Sequence, residues 1–237
     1  MEPLATRHVE RCEALPDDLP PGDYVVIDVI FFSTTAVELF ADGLASLTVV
    51  AEKPDTLAFR EDTPDALAGG DHDPDYDAVG DYDFHNSPTF VRDLDAEGRH
   101  AAMTSTNGGR TVNCLRDRDA GDRADVAVYL GSTTNAAALG DYLRSDRDTY
   151  LVSAGYQGDI AVEDHIGAIR IGRQIADVGL TNAEETVFRR QLPTAKGDEY
   201  RATAHPTRRA DLDDRITDFD AHDVVPKLVD GRFVDVA

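Results

Sequence analysis

The sequence predicts an α/β fold, a three-layer α/β/α arrangement around a mostly parallel, or mixed, sheet. Three observations carry this. Short apolar runs alternate with helically spaced stretches along most of the 237 residues, the β-then-α order that builds a parallel sheet covered on both faces. Three strand-to-helix junctions share one composition rich in hydroxyls and amides: Ser33-Thr34-Thr35, Thr104 to Gly109, and Gly131 to Asn135. No linker divides the chain convincingly, so residues 1–237 read as one elaborate α/β domain, long enough to bury a large core, with a two-lobed organisation of unknown boundary as the alternative.

The elements follow in order. After a polar lead-in ending at Pro20-Pro21-Gly22, residues 24–40 read as an apolar strand carrying one carboxylate, Asp28, which enters a helix through a polar turn. That helix runs to Asp42-Gly43, where Gly43 suits a left-handed cap. Residues 46–51 predict a short strand and 54–61 a brief helix, and a long loop rich in Asp, Gly and Pro then extends to Pro88. In that loop Asp71, Asp73, Asp75 and Asp77 alternate as in a calcium loop, but Tyr76 stands at the turn glycine and no Glu closes it. A solvated acidic loop is the reading. Strands are expected at 99–103, 126–130 and 149–153, with amphipathic or helical segments at 112–115 and 136–143 between them. Residues 162–178 carry the helical stripe Ile166, Ile169, Ile171 and Ile175, opened by Glu163 and Asp164. Residues 182–191 predict a helix, 192–222 are charged and ambiguous, and 232–236 predict a terminal edge strand.

Charge narrows the function classes. Asp+Glu number 46 against 23 Lys+Arg, a formal net charge of -23, which excludes nucleic acid as an expected partner. Asp far outnumbers Glu, and the lysines are Lys53, Lys196 and Lys227 alone. This is the composition of a protein from a salt-saturated cytoplasm, where at about 1 M salt the Debye length falls to roughly 3 Å and like charges no longer push a fold apart. Most carboxylates are then surface adaptation. Cys12 and Cys114 form neither a metal framework nor a warranted disulfide, which fits a reduced cytoplasm. The first residues lack the apolar core of a signal peptide and no apolar run approaches membrane-spanning length, so the expectation is a soluble cytoplasmic protein without a membrane partner. A homodimer is the expected assembly for an α/β enzyme of this size.

Hydroxyls in the three turns stand where helix N-terminal N–H groups and the positive end of the macrodipole favour an anion. In an open α/β sheet such turns gather at the carboxyl ends of strands, where ligands bind. As plain N-caps they would serve only their own helices. Three turns of like content favour a shared polyanion site. Asp28 stands apart from the other acids, because a charge inside an apolar strand is costly unless it is paired or metal-bound.

Taken together, Val-Ile-Asp-Val-Ile with Ser33-Thr34-Thr35-Ala36, Asp83 with Asn86-Ser87-Pro88, Thr104-Ser105-Thr106-Asn107-Gly108-Gly109-Arg110, Gly131-Ser132 with Asn135-Ala136, Ser153-Ala154-Gly155 with Glu163-Asp164, and Asp223-Val224-Val225-Pro226 resemble the 2-phosphosulfolactate phosphatase family over residues 22–235. The resemblance implies Mg2+-dependent hydrolysis of a small acidic phosphate monoester, 2-phosphosulfolactate or a related 2-phospho acid, in the coenzyme M pathway. It implies Asp28, Asn107 and Arg110 as catalytic residues, with Asp28, Glu163 and Asp164 holding the ion. Ser33, Thr34, Thr35, Asn86, Ser87, Thr106, Gly108, Ser132 and Asn135 would cradle the phosphate. His85 stands where the family usually has glycine and reads as a packing or surface residue. Phe31-Phe32 replace the family's Arg-Ala and Pro206 a late glycine, and an aromatic ring cannot stand in for a bidentate clamp. Losing such a clamp costs a few kcal/mol of transition-state stabilisation unless another Arg fills in. The alternative is a non-catalytic or substrate-shifted relative that binds a phosphorylated metabolite, with Phe31 and Phe32 accommodating an apolar part. A nicotinamide-dependent oxidoreductase is disfavoured, since no Gly-x-Gly-x-x-Gly follows a predicted strand.

Overall fold

The computed structural model describes residues 6–71, 81–119, 125–144 and 147–237. Strands β1 (Thr6–Val9), β2 (Gly22–Ile27), β3 (Ser46–Val49), β4 (Leu67–Gly70), β5 (Phe84–His85), β6 (His100–Thr104), β7 (Val126–Gly131), β8 (Thr149–Ser153), β9 (Pro226–Val229) and β10 (Arg232–Asp235) form one mixed, mostly parallel sheet. The helices are α1 (Phe32–Ala41), α2 (Lys53–Asp62), α3 (Pro88–Val91), α4 (Gly108–Asp119), α5 (Ala136–Tyr142), α6 (Val162–Ile175), α7 (Asn182–Gln191), α8 (Asp198–Thr203) and α9 (Pro206–Ala210).

The strand order is β1-β8-β2-β7-β9-β10-β3-β6-β4-β5. It divides into two parallel groups, β1-β8-β2-β7 and β3-β6-β4-β5, joined by the antiparallel hairpin of β9 and β10. The hairpin meets its neighbours through Tyr129–Lys227 on one side and Phe233–Leu47 on the other. Side chains on successive residues of a strand point to opposite faces. Accordingly Tyr24 and Val26 of β2 join one core with Phe32, Leu39 and Val112, while Val25 and Ile27 join another with Leu139, Ile166 and Ile171. Helices α1 and α4 therefore cover one face and α5 and α6 the other, and β2 is apolar on both sides for that reason. Gly140 lets α5 and α6 approach closely, since a Cβ there would lie 2.2 Å from Gln174 Cβ.

Three expectations are corrected, and one stretch that the sequence left open is resolved. The polar lead-in contains β1, which pairs with β8. The long loop before Pro88 contains β4 and β5, and the remainder of its aspartate run, Asp73, Asp75 and Asp77, lies outside the described residues. The last strand is not an edge: β10 sits inside the sheet between β9 and β3, with Phe233 fully buried, because a hairpin with β9 carries it there. The ambiguous stretch 192–222 folds into short turns, α8, α9 and a wide helical turn at Asp211–Arg215. Among the described residues, no helix is long and apolar enough to cross a membrane, and Cys12 and Cys114 are both free.

Candidate active site

The carboxyl end of β2 delivers Asp28 into a cavity of about 430 Å³. Its backbone is fixed by Ser33, whose Oγ accepts from Asp28 N at 2.8 Å and donates to Asp28 O at 2.8 Å, while Ser33 N donates to the same carbonyl at 3.0 Å. Its side chain is fixed by the opening of α4, where Gly108 N donates to Asp28 Oδ2 at 2.8 Å. A helix N-terminal N–H thus points at a carboxylate at a strand end, with the dipole favouring the negative charge. Asp28 is only 5% exposed. Burial pushes its carboxyl up to about 7; the Gly108 N–H and Lys196 act against this, and Asp71 and Glu163 add to it.

Sequence reasoning named Asp28, Asn86, Thr106 and Asn107, and all four line this cavity. Thr106 and Asn86 are tied together through Asp71, which accepts from Thr106 N at 2.6 Å, from the Thr106 hydroxyl, and from Asn86 Nδ2 at 3.1 Å. Asn107 Oδ1 accepts from Gln157 N at 3.3 Å, linking the turn before α4 to the segment after β8.

The other hydroxyl-turn residues lie behind the wall. Thr34 Oγ1 bonds Val29 O at 2.9 Å and Ser132 Oγ at 2.6 Å. Asn135 accepts from Ser132 N at 2.9 Å and donates to Val224 O at 3.1 Å. Ser87 caps α3 by accepting from Phe90 N at 3.2 Å and donates to Asp211. Ser33, Thr34, Thr35, Ser87, Ser132 and Asn135 are fully or almost fully buried and do not line the cavity, and all of them except Thr35 hold the turns in shape through side-chain hydrogen bonds. His85 is buried edge-on to Phe90, with ring centroids 5.1 Å apart, so packing is where the structure places it.

Asp28, Glu163 and Asp164 lie near enough for Glu163 to disfavour ionisation of the other two, but Glu163 and Asp164 are each engaged by the protein. Asp164 Oδ1 accepts from Val29 N at 2.9 Å and Oδ2 from Gly155 N at 3.0 Å, so this acid clasps the ends of β2 and β8. Burial, then repulsion from Asp28 and Glu163, push its carboxyl well above the usual range. Glu163 is buried against Lys196, with Oε1 2.8 Å from Nζ. Arg110 points away as well, donating to Glu13 at 2.7 Å on the surface, where both partners are over 40% exposed. Among the described residues there is no group of three or more His, Cys, Asp or Glu placed to hold a metal.

Instead, the basic side chains among the described lining residues are Lys196 and Arg208. Each lies over an aromatic ring that also lines the cavity: Lys196 Nζ is 4.1 Å from the centre of Tyr156, and Arg208 Cζ 4.0 Å from that of Phe31. Burial opposes the Lys196 charge, but Glu163, Asp164 and Asp28 outweigh it and hold its pKa above the usual lysine value. Arg208 donates to Asn86 O at 3.1 Å and sits 3.5 Å from Asp211 Oδ2. These two cations, with Tyr156 and Tyr200, were not singled out as site residues from the sequence, and Asp71 was read there only as part of a solvated acidic loop. Lys196, Tyr200 and Arg208 belong to the ambiguous stretch, whose one visible signal was that Lys196 is one of only three lysines.

The arrangement is a cavity with two carboxylates and two fixed cations among its lining residues, suited to an anionic ester. Comparison with known proteins points the same way. A probable 2-phosphosulfolactate phosphatase of Thermotoga petrophila is 26% identical over 219 residues, covering 89% of this chain and 90% of that protein. Proteins of the same description from Deinococcus radiodurans and Synechocystis are 28% and 25% identical, over 71% and 92% of this chain and 68% and 93% of theirs. The sequence pattern of the 2-phosphosulpholactate phosphatases matches residues 10–219, and the chain belongs to that family.

Proposed function

We propose that this cavity hydrolyses a small acidic phosphate monoester, 2-phosphosulfolactate or a related 2-phospho acid, with Mg2+ as the resident ion. The observation that carries the reading is Asp28, a buried strand-end carboxylate held by the Gly108 N–H in a cavity that also contains Lys196 and Arg208. The family and the names of the relatives support phosphatase chemistry.

Mg2+ usually binds through one or two carboxylates, the rest of its oxygen ligands being waters and substrate phosphate. Asp28 and Asp71 both line the cavity, and the charge of Asp71 raises the cost of ionising Asp28, so a divalent cation held by these carboxylates would offset that cost. These two, rather than Asp28 with Glu163 and Asp164, are the carboxylates that would hold the ion. When bound, it supplies neutralisation of phosphate charge in the transition state. The chain's own residues do the rest. Lys196 presents its ammonium beside Asp28, and the side-chain amide of Asn107 offers a hydrogen bond to ester oxygens.

Phosphate release from 2-phosphosulfolactate and 2-phospholactate, in about 2 M KCl with MgCl2 or with EDTA, tests the reading. Turnover should require Mg2+ and should fall at least about 1,000-fold in Asp28→Asn, the scale of losing a reacting group. Release that is unchanged in that variant, or unaffected by EDTA, removes Asp28 or the ion from the chemistry.

A further inference from the structure

Arg208 and Lys196 occupy unlike surroundings within one cavity. Lys196 lies among the acids of the reacting end, touching Glu163 and feeling Asp164 and Asp28. Arg208 is anchored elsewhere, on the ring of Phe31, the carbonyl of Asn86 and the carboxylate of Asp211. Asp211 is itself held rigidly, accepting from the Ser87 hydroxyl with both oxygens, at 2.9 and 2.8 Å, and from Thr89 N at 2.8 Å. Arg208 and Asp211 are 4% and 0% exposed. A guanidinium clamped from beneath by a ring and from the side by a carboxylate and a carbonyl is a pre-organised planar fork, and such a fork matches a carboxylate or sulfonate better than a mobile ammonium does.

We infer that Arg208, laid on Phe31, is the specificity residue that reads the non-reacting anionic group of the substrate, leaving the phosphate to the Asp28 and Lys196 end. The inference rests on the function proposed above, whose ester carries such a second anion. It gives Phe31 a role as platform for the cation. The aromatic residue and the distant arginine form one recognition unit, contributed by the turn after β2 and by α9.

Binding of two non-hydrolysable probes of similar shape separates recognition from turnover. 2-Carboxyethylphosphonate carries a phosphonate and a carboxylate, while propylphosphonate carries the phosphonate alone. By calorimetry with MgCl2 in about 1 M KCl, the intact protein should prefer the carboxylate probe by roughly 10- to 100-fold, the range of a charge-assisted hydrogen-bond pair. Arg208→Gln should bring the ratio of affinities close to one. Phe31→Leu should lower it with Arg208 still present and Phe31→Tyr should keep it, and this pair decides the matter if Arg208→Gln does not fold. A ratio that survives Arg208→Gln, a ratio near one in the unaltered protein, or binding of neither probe overturns the inference. An Arg208-dependent preference in a protein that hydrolyses no 2-phospho acid supports it while removing the catalytic reading.

Discussion

At the scale of single residues, Asp28 shows how position, not identity, gives an acid its chemistry. Dozens of carboxylates in this chain lie at or near the surface, whereas Asp28 is 5% exposed, and its pKa is raised from 3.8 to about 7, burial being the largest cause. The sign of the consequence is fixed. Between those two pH values the folded protein binds a proton that the unfolded chain has released, so stability falls as pH rises across this window. Below about pH 4 the cost is absent, and above about pH 7 it is complete, at about 4 kcal/mol for a shift of this size. Asparagine carries no such charge and can still accept the Gly108 N–H. In EDTA, the Asp28→Asn protein should therefore be more stable than the unaltered protein at about pH 8 and nearly equal to it at about pH 4. Urea unfolding at the two pH values checks this. A difference that is the same at both would mean that Asp28 does not titrate in the folded state as its burial demands.

At the scale of elements, the site exists because the opening of α4 comes close enough to β2 for one backbone N–H to reach Asp28. Glycine at position 108 is what allows the approach. A Cβ there would lie 2.7 Å from Asp28 Oδ2 and 2.3 Å from Phe32 Cδ1. Gly108→Ala should cost about 1–3 kcal/mol of stability by overpacking, and displacing the carboxylate by even about 1 Å should reduce turnover on the order of 100-fold. Adding Phe32→Leu relieves the ring clash but not the one with Asp28, so stability should recover in part and turnover should not. Turnover left intact by Gly108→Ala would show that the contact between α4 and β2 does not position Asp28. This scale also shows what was legible in the sequence. The segments around α1, α5, β8 and α6 could be read because apolar periodicity is local, and Asp28 because a lone charge in an apolar strand is conspicuous. The partners of a buried hydroxyl are not local, so Ser33, Thr34 and Ser132 looked like ligand groups although they bond the backbone and each other. Arg208 and Lys196 were hidden for the same reason: only folding sets them beside Phe31 and Glu163, residues far away in the chain.

At the scale of the whole molecule, the two parallel strand groups are stitched together by a C-terminal hairpin that meets each of them through a single paired position. Around this seam the chain carries a formal charge of -23. Several surface ion pairs are visible, such as Arg144 with Asp141 and Arg189 with Glu185, but exposed pairs of this kind contribute at most about 1 kcal/mol each. With 46 acidic against 23 basic side chains, at least half of the carboxylates have no cation to pair with one to one. Their mutual repulsion is long-ranged in dilute salt, where the Debye length is about 10 Å at 0.1 M, and short-ranged near 1 M, where it is about 3 Å. The folded state, which concentrates the charge, should therefore gain several kcal/mol between those conditions, a rise in Tm of about 10 °C or more for a chain of this length. Raising KCl from about 0.1 to 2 M during thermal unfolding measures the gain, although high salt also strengthens apolar burial. Guanidinium chloride separates the two contributions, because at about 0.3 M it screens charge while weakening burial. If repulsion dominates, that small addition to a low-salt buffer should raise Tm, whereas the same concentration of urea should lower it. A fall with both denaturants would place the salt dependence in the apolar core, and the acidic surface would then have little to do with how this fold is held.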